Sequence, residues 1–290
     1  MLKYFLVLLL IPFHLCAQYE LSVCAIFQNE GPYLKEWIEF HKLQGVQHFY
    51  LYNNSSNDAF RKILQPYVDT KEVSLIQWLH GYDDTDTTTW SLVQTGAYMD
   101  CIKKYGWKST WIAFIDVDEF LFCPSGAKLN DFLKGYIDHA AVCVNWLMFG
   151  TSYVEDFPEN YLLIEMLTRC AKHKAAVNKH IKSIVQPAKV ASCPSPHYFL
   201  YKEEAYAVAP NHSRVDGPFS SVINHDSIRI NHYWTRTEKY LRECKIPSRI
   251  KRRSFETEEG IRKEASTYNV TFDTAILNCV PQLRARMGYE

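Results

Sequence analysis

The stretch Trp111-Ile112-Ala113-Phe114-Ile115-Asp116-Val117-Asp118-Glu119-Phe120-Leu121-Phe122 decides the fold. Its first half is an almost unbroken apolar and aromatic run, the pattern of a strand buried on both faces of a mostly parallel sheet. Asp116, Asp118 and Glu119 then interrupt it. Unpaired charge is costly inside a core, so all three carboxylates are expected where the strand emerges. In open α/β sheets the carboxyl ends of the strands are where ligands bind. Two aspartates one residue apart can aim oxygens at one hard cation, and Mg²⁺ or Mn²⁺ accepts a few carboxylates while leaving positions for phosphate oxygens. The stretch reads as a metal and diphosphate site. An acidic turn capping the next helix is the plainer alternative, and Asp-x-Asp by itself does not separate the two.

The preceding chain supplies the context. Residues 19–27 read as a strand, broken by Gln28-Asn29-Glu30-Gly31-Pro32, and apolar residues at helical spacing follow through Leu43. Residues 47–52 and 72–78 are further strands, and 90–105 is a helix leading into the Trp111 strand. Asn53-Asn54-Ser55-Ser56-Asn57-Asp58 is a polar turn into a helix ending near Tyr67. This regular alternation predicts a three-layer α/β fold. After Phe122 the alternation loosens into a short helix at 129–135, a buried strand at 140–149, a last strand-like segment at 227–234, and helices from Thr235 onward.

Composition narrows the classes. Lys plus Arg and Asp plus Glu balance at 32 each, so no global field draws this chain to nucleic acid. Its 290 residues suit one large domain with an elaborated C-terminal part. Residues 1–17 carry a short apolar core and end Leu15-Cys16-Ala17, the pattern of a secretory signal or short membrane-targeting segment. That segment implies export or membrane association, and a cytoplasmic location if it is not used. The nine cysteines show no zinc-ligand spacing, and Cys24, Cys123 and Cys143 fall in or beside apolar runs, where a thiol behaves as a small hydrophobe.

Together these pieces resemble the family 92 glycosyltransferases and their family 2-like relatives, which share the Rossmann-like A-type nucleotide-sugar fold with a DxD motif. The resemblance rests on Asn29-Glu30, Tyr33-Leu34-x-Glu36-Trp37-Ile38-Glu39-Phe40-His41, Gly45-Val46, Tyr52-Asn53-Asn54-Ser55-Ser56-x-Asp58, Gln94, Asp116-Val117-Asp118-Glu119-Phe120, Phe149-Gly150-Thr151-Ser152, Lys182-Ser183-Ile184-Val185 and Asn231-His232-Tyr233. It implies a mixed, mostly parallel sheet flanked by helices, an A-type domain over residues 18–245 and a C-terminal helical extension of the same domain over 246–290.

The activity implied is metal-dependent, inverting transfer of a hexose, galactose among the options, from a UDP-sugar to a glycan, glycolipid or glycoprotein hydroxyl. Mn²⁺ or Mg²⁺ would sit on Asp118 and His232, with Asp116 at the metal or the ribose. Asn29, Glu30, Asn54 and Asp58 would line the nucleotide-sugar pocket, and Lys182 would meet phosphate. A carboxylate base is also required; Glu155, Asp156 and Glu165 are the candidates, each equally readable as surface charge. A nucleotidyltransferase also uses paired aspartates, but the loop at 28–32 has neither repeated glycine nor a basic residue. A catalytically inactive carbohydrate-binding protein is the third reading.

Overall fold

A computed structural model describes residues 17–289, so the expected targeting segment lies outside the described residues except for Ala17. β1 (Tyr19–Phe27), α1 (Gly31–Leu43), β2 (His48–Asn53), α2 (Phe60–Asp69), β3 (Val73–Gln77), α3 (Thr87–Tyr105), β4 (Ser109–Phe114), β5 (Glu119–Phe122) and β6 (Ala141–Met148) form its frame. β3, β2, β1 and β4 lie side by side in parallel. The strand Ile181–Val185 is antiparallel to both β4 and β6, which sets β6 running with β4. β6 also pairs in parallel with Ala207–Val208 and with Arg229–His232. Arg214–Val215 pairs antiparallel with Ala207–Val208, and β5 pairs antiparallel with Arg229–His232. Seven strands of the ten-stranded sheet thus run one way, and three oppose them. This is the mixed, mostly parallel sheet flanked by helices that the sequence predicts.

Apolar runs without alternation explain the layering. β2 and β6 are buried at every position, as strands covered on both faces must be. One core layer joins the sheet to α1 and to the C-terminal helix Val280–Met287 through Trp37, Phe40, Phe49, Leu283 and Met287. The other packs α3 and the hairpin Val190–Ser195/Tyr198–Tyr201 through Tyr98, Phe114 and Phe199. Gly150 makes a close approach to the C-terminal region, because a Cβ there would lie 2.3 Å from Asn269 Oδ1. The C-terminal residues are therefore built into the main core rather than appended to it.

The chain from Trp111 to Phe122 is two strands instead of one. After β4 it leaves the sheet at Ile115, turns through Asp116-Val117-Asp118 and returns as β5, antiparallel to Arg229–His232. Asp116 and Asp118 stand in the turn as expected, but Glu119 is at 0% exposure. The expectation that all three carboxylates leave the core fails for Glu119 because a buried cation, Lys182, lies 3.7 Å away. Periodicity along the strand carries no sign of a partner 63 residues further on.

Candidate active site

The turn that carries the aspartates is closed from within and held from behind. Asp116 N–H donates to Glu119 Oε2 at 2.8 Å, and Glu119 N–H donates to Asp116 O at 3.1 Å. From α1, the Trp37 indole N–H donates to Glu119 O at 2.8 Å. His41 donates from Nδ1 to Trp37 O at 2.8 Å and accepts the Leu121 N–H at Nε2, 3.1 Å away, which fixes its tautomer. Burial lowers its pKa to about 3, so the ring stays neutral. The Trp37 and His41 of the family-like motif thus position β5 rather than touch a ligand.

The three carboxylates have different surroundings. Asp116 accepts from Gln94 Nε2 at 2.7 Å and Tyr98 Oη at 3.5 Å on one oxygen, and from Lys182 Nζ at 2.8 Å on the other. Burial pushes the Glu119 carboxyl well above the usual range, with Lys182 opposing the shift. Burial would raise Asp118 too, but Lys245, His232 and Arg236 outweigh it and hold that carboxyl well below the usual range. His232 reaches Asp118 through strand register: it pairs directly with Glu119 across β5, and Tyr233 N–H donates to Asp118 O at 2.8 Å. His232 Nε2 consequently lies 3.5 Å from Asp118 Oδ1.

A cavity of about 790 Å³ opens above this turn. On the β1 side it is lined by Gln28, Asn29, Glu30, Tyr82, Trp90 and Gln94. The opposite wall is Trp146, His180 and His197, with the His180 ring stacked on Trp146 at 4.9 Å between centroids. Glu30 is paired with Arg236, a fully buried guanidinium sandwiched between the rings of Tyr33 and Tyr240 at 3.7 and 4.5 Å.

The donor set at Asp118 and His232 fits a divalent ion. Two ligands bound at about 2.1 Å with an angle of 90–110° lie roughly 3.0–3.4 Å apart, close to the 3.5 Å observed. Behind the ring, His232 Nδ1 and Glu119 Oε1 are 3.9 Å apart and both lack a hydrogen-bond partner. Metal-bound histidines place their second nitrogen on such a carboxylate. Among the described residues no group of three or more His, Cys, Asp and Glu side chains is set to hold a metal by itself. Phosphate oxygens and water would complete the shell, as Mg²⁺ prefers.

The structure brings Asn29, Glu30, Asp116, Asp118 and His232 to the cavity and leaves the other named residues off its wall. Asn54 is buried and donates to Trp78 O and His80 O at 3.1 and 2.9 Å, tying the end of β2 to the chain leaving β3. Asp58 accepts Gly31 N–H at 2.7 Å and so caps α1. Lys182 is buried beneath the turn. Glu155 and Asp156 are exposed and paired with Arg242 and Lys239 at 2.9 and 2.7 Å, and Glu165 is paired with Arg284 at 2.9 Å. Nothing in the sequence alone marks Lys245, Arg236, Trp146, His180 and His197 for the site; their positions depend on how late segments fold back over the turn.

These features define an α/β protein whose polar cleft lies at the carboxyl ends of parallel strands, over an aspartate pair and a histidine. Residues 18–216 match the model of glycosyltransferase family 92, and the chain belongs to that family. A glycosyltransferase family 92 protein of Ricinus communis is 27% identical over 179 residues, 60% of this chain and 30% of that one. A β-1,4-galactosyltransferase of Caenorhabditis elegans is 29% identical over 112 residues, 37% of this chain and 26% of that one. The matched region is less than a third of either relative's length. Among solved structures, S. aureus TarS in complex with UDP-GlcNAc aligns with a TM-score of 0.39 and 12% identity, over 70% of this chain and 61% of that one. That likeness is too low to carry an argument.

Proposed function

We propose that this chain is an inverting, metal-dependent glycosyltransferase that moves a hexose from a UDP-sugar to a hydroxyl of a glycan, glycolipid or glycoprotein. The observation that carries the proposal is the meeting of Asp118 and His232, 114 positions apart in sequence, on the floor of a cavity of about 790 Å³. That volume is within the ~300–1,000 Å³ usual for ligand sites. Mn²⁺ or Mg²⁺, when bound by Asp118 and His232, supplies Lewis acidity toward the leaving diphosphate. Tyr82 and Trp90, 4.9 Å apart between ring centroids, offer aromatic surface to the uracil beside Asn29. Gln94 and Lys182 orient Asp116 toward the ribose.

Across the turn, the wall of Trp146, His180 and His197 receives the hexose and the acceptor. Glu155, Asp156 and Glu165 are ion-paired off the cavity wall, which counts against each as the base that takes the acceptor proton. Residues 1–17 would carry the chain to a membrane or across it. Among the described residues no helix is long and apolar enough to span one. The C. elegans relative's name makes UDP-galactose the first donor to test. UDP release from a panel of UDP-hexoses, with Mn²⁺ and with EDTA, is the experiment: metal-dependent release from at least one donor is expected, and release from none overturns the proposal.

A further inference from the structure

The lysine that the motifs offer to phosphate, Lys182, is committed below the cavity to Asp116 and Glu119. The cavity has a different basic wall. Leu241–Lys245 is a π-helical turn running straight into the helix Ile246–Arg252. Lys245, Ser248, Arg249 and Arg252 are spaced so that one face of this helix lines the cavity. π-helical turns gather at functional sites. Arg249 is held by Glu256 and Glu264 at 2.5 and 2.6 Å, so its charge is balanced.

Lys245 is not held in this way. Among the described residues it is the one lysine lining the cavity. Its ammonium carries three N–H donors, yet its one acidic contact is to Asp118 Oδ2 at 3.4 Å. Tight charge-assisted bonds are about 2.7–2.9 Å. The rings of Trp234 and Tyr240, with centroids 5.9 and 5.7 Å from Nζ, flank the ammonium. A cation with unused donors therefore stands beside the carboxylate assigned to the metal, on the wall facing the cavity.

We infer that Lys245 binds the diphosphate of the donor and balances the charge left on it, an assignment that rests on the nucleotide-sugar reading above. In the transfer, the acceptor oxygen bonds to the anomeric carbon and its proton passes to a general base at the cavity wall. The bond from that carbon to the β-phosphate oxygen breaks, and the oxygen keeps the electron pair. Lys245 faces that oxygen, and the nucleoside has no need of it.

The test compares UDP with UMP in calorimetric titrations of the full chain in Mn²⁺, for the wild type, Lys245→Met and Lys251→Met. Lys251 is the control, an exposed lysine of the same helix that pairs with Asp84 away from the cavity. Lys245→Met should weaken UDP roughly 10–100-fold and UMP by less than about 3-fold, so the preference for UDP collapses; Lys251→Met should change neither. A Lys245→Met protein that binds UDP as tightly as the wild type, or loses UDP and UMP equally, overturns the assignment. Should that variant fail to fold, amine labelling of the wild type followed by mass spectrometry decides. UDP and inorganic pyrophosphate should protect Lys245 and uridine should not; equal labelling with and without them overturns it. A wild type that binds no UDP overturns the nucleotide-sugar reading itself, and Lys245 falls with it.

Discussion

Lys182→Met probes how a carboxylate survives at the centre of this fold. Lys182 and Glu119 are exposed to 1% and 0%, and the ammonium lies 2.8 Å from Asp116 Oδ2 and 3.7 Å from Glu119 Oε2. Methionine fills nearly the same space, so the variant removes charge rather than volume. Breaking a buried ion pair by deleting one partner costs about 3–5 kcal/mol. Asp116 is one-third exposed and regains water, which puts the penalty mainly on Glu119 and near the lower bound, about 3 kcal/mol. That is a fall of roughly 6–12 °C in Tm. The pH dependence has a definite sign. Burial already holds the Glu119 carboxyl above its ordinary value, and removing Lys182 raises it further. A folded pKa above the unfolded value of about 4.3 gives stability that is complete below that pH and lost as the pH rises through the folded value. The deficit should therefore widen as the pH rises above about 4.3, by at most ~1.4 kcal/mol per unit. Urea denaturation followed by tryptophan fluorescence measures it, and Lys182→Met/Glu119→Gln should recover at least half. A deficit below about 1 kcal/mol, or one that narrows as the pH rises, refutes the reasoning.

His232→Ala should weaken Mn²⁺ and UDP together, because one side chain serves both; equilibrium dialysis that finds one affected without the other counts against it. His197→Ala, on the opposite wall, should lower transfer to acceptor at least about 10-fold while leaving UDP affinity near wild type, and equal losses of both would place it with the nucleotide instead. Glu155→Gln, Asp156→Asn and Glu165→Gln should each stay within a few-fold of wild-type turnover; a loss of about 1,000-fold in any one would restore it as the base. His41, whose pKa is lowered to about 3 against about 6.5 unfolded, stabilises the fold fully above pH ~6.5 and progressively less as the pH falls. Relative to His41→Gln, the wild type should lose about 2 kcal/mol between pH 6.5 and 5, and parallel denaturation curves for the two proteins would contradict this.

How much of this was legible in the sequence depends on the range of the interaction concerned. β1, β2 and β6 announce themselves as long apolar runs, and α1 by its spacing, because burial and helical period are local. Asp116 and Asp118 are visible for the same reason: charge at the end of an apolar run must face something polar. His232 was reached only through the resemblance, since its approach to Asp118 depends on the register of β5 against Arg229–His232. Asn54 and Asp58 look like ligand groups in a polar turn, yet their partners are backbone groups of neighbouring elements. The burial of Glu119 and the placement of Lys245 are hidden from the sequence for one cause. Each takes its meaning from a charge far along the chain, Lys182 for the first and Asp118 for the second.

Calorimetric titration of UDP in Mn²⁺, wild type against Asp118→Asn, bears most directly on the central claim that Asp118 and His232 hold a divalent ion beneath the donor's diphosphate. The substitution is nearly isosteric and lies in a turn, so the fold should persist, with an unchanged far-ultraviolet spectrum. The wild type should bind UDP far better with Mn²⁺ than with EDTA. Asp118→Asn should lose at least about 100-fold in the presence of Mn²⁺, some 2.7 kcal/mol, and become insensitive to EDTA. Equal UDP affinity in the two proteins, or a wild type indifferent to EDTA, contradicts the claim.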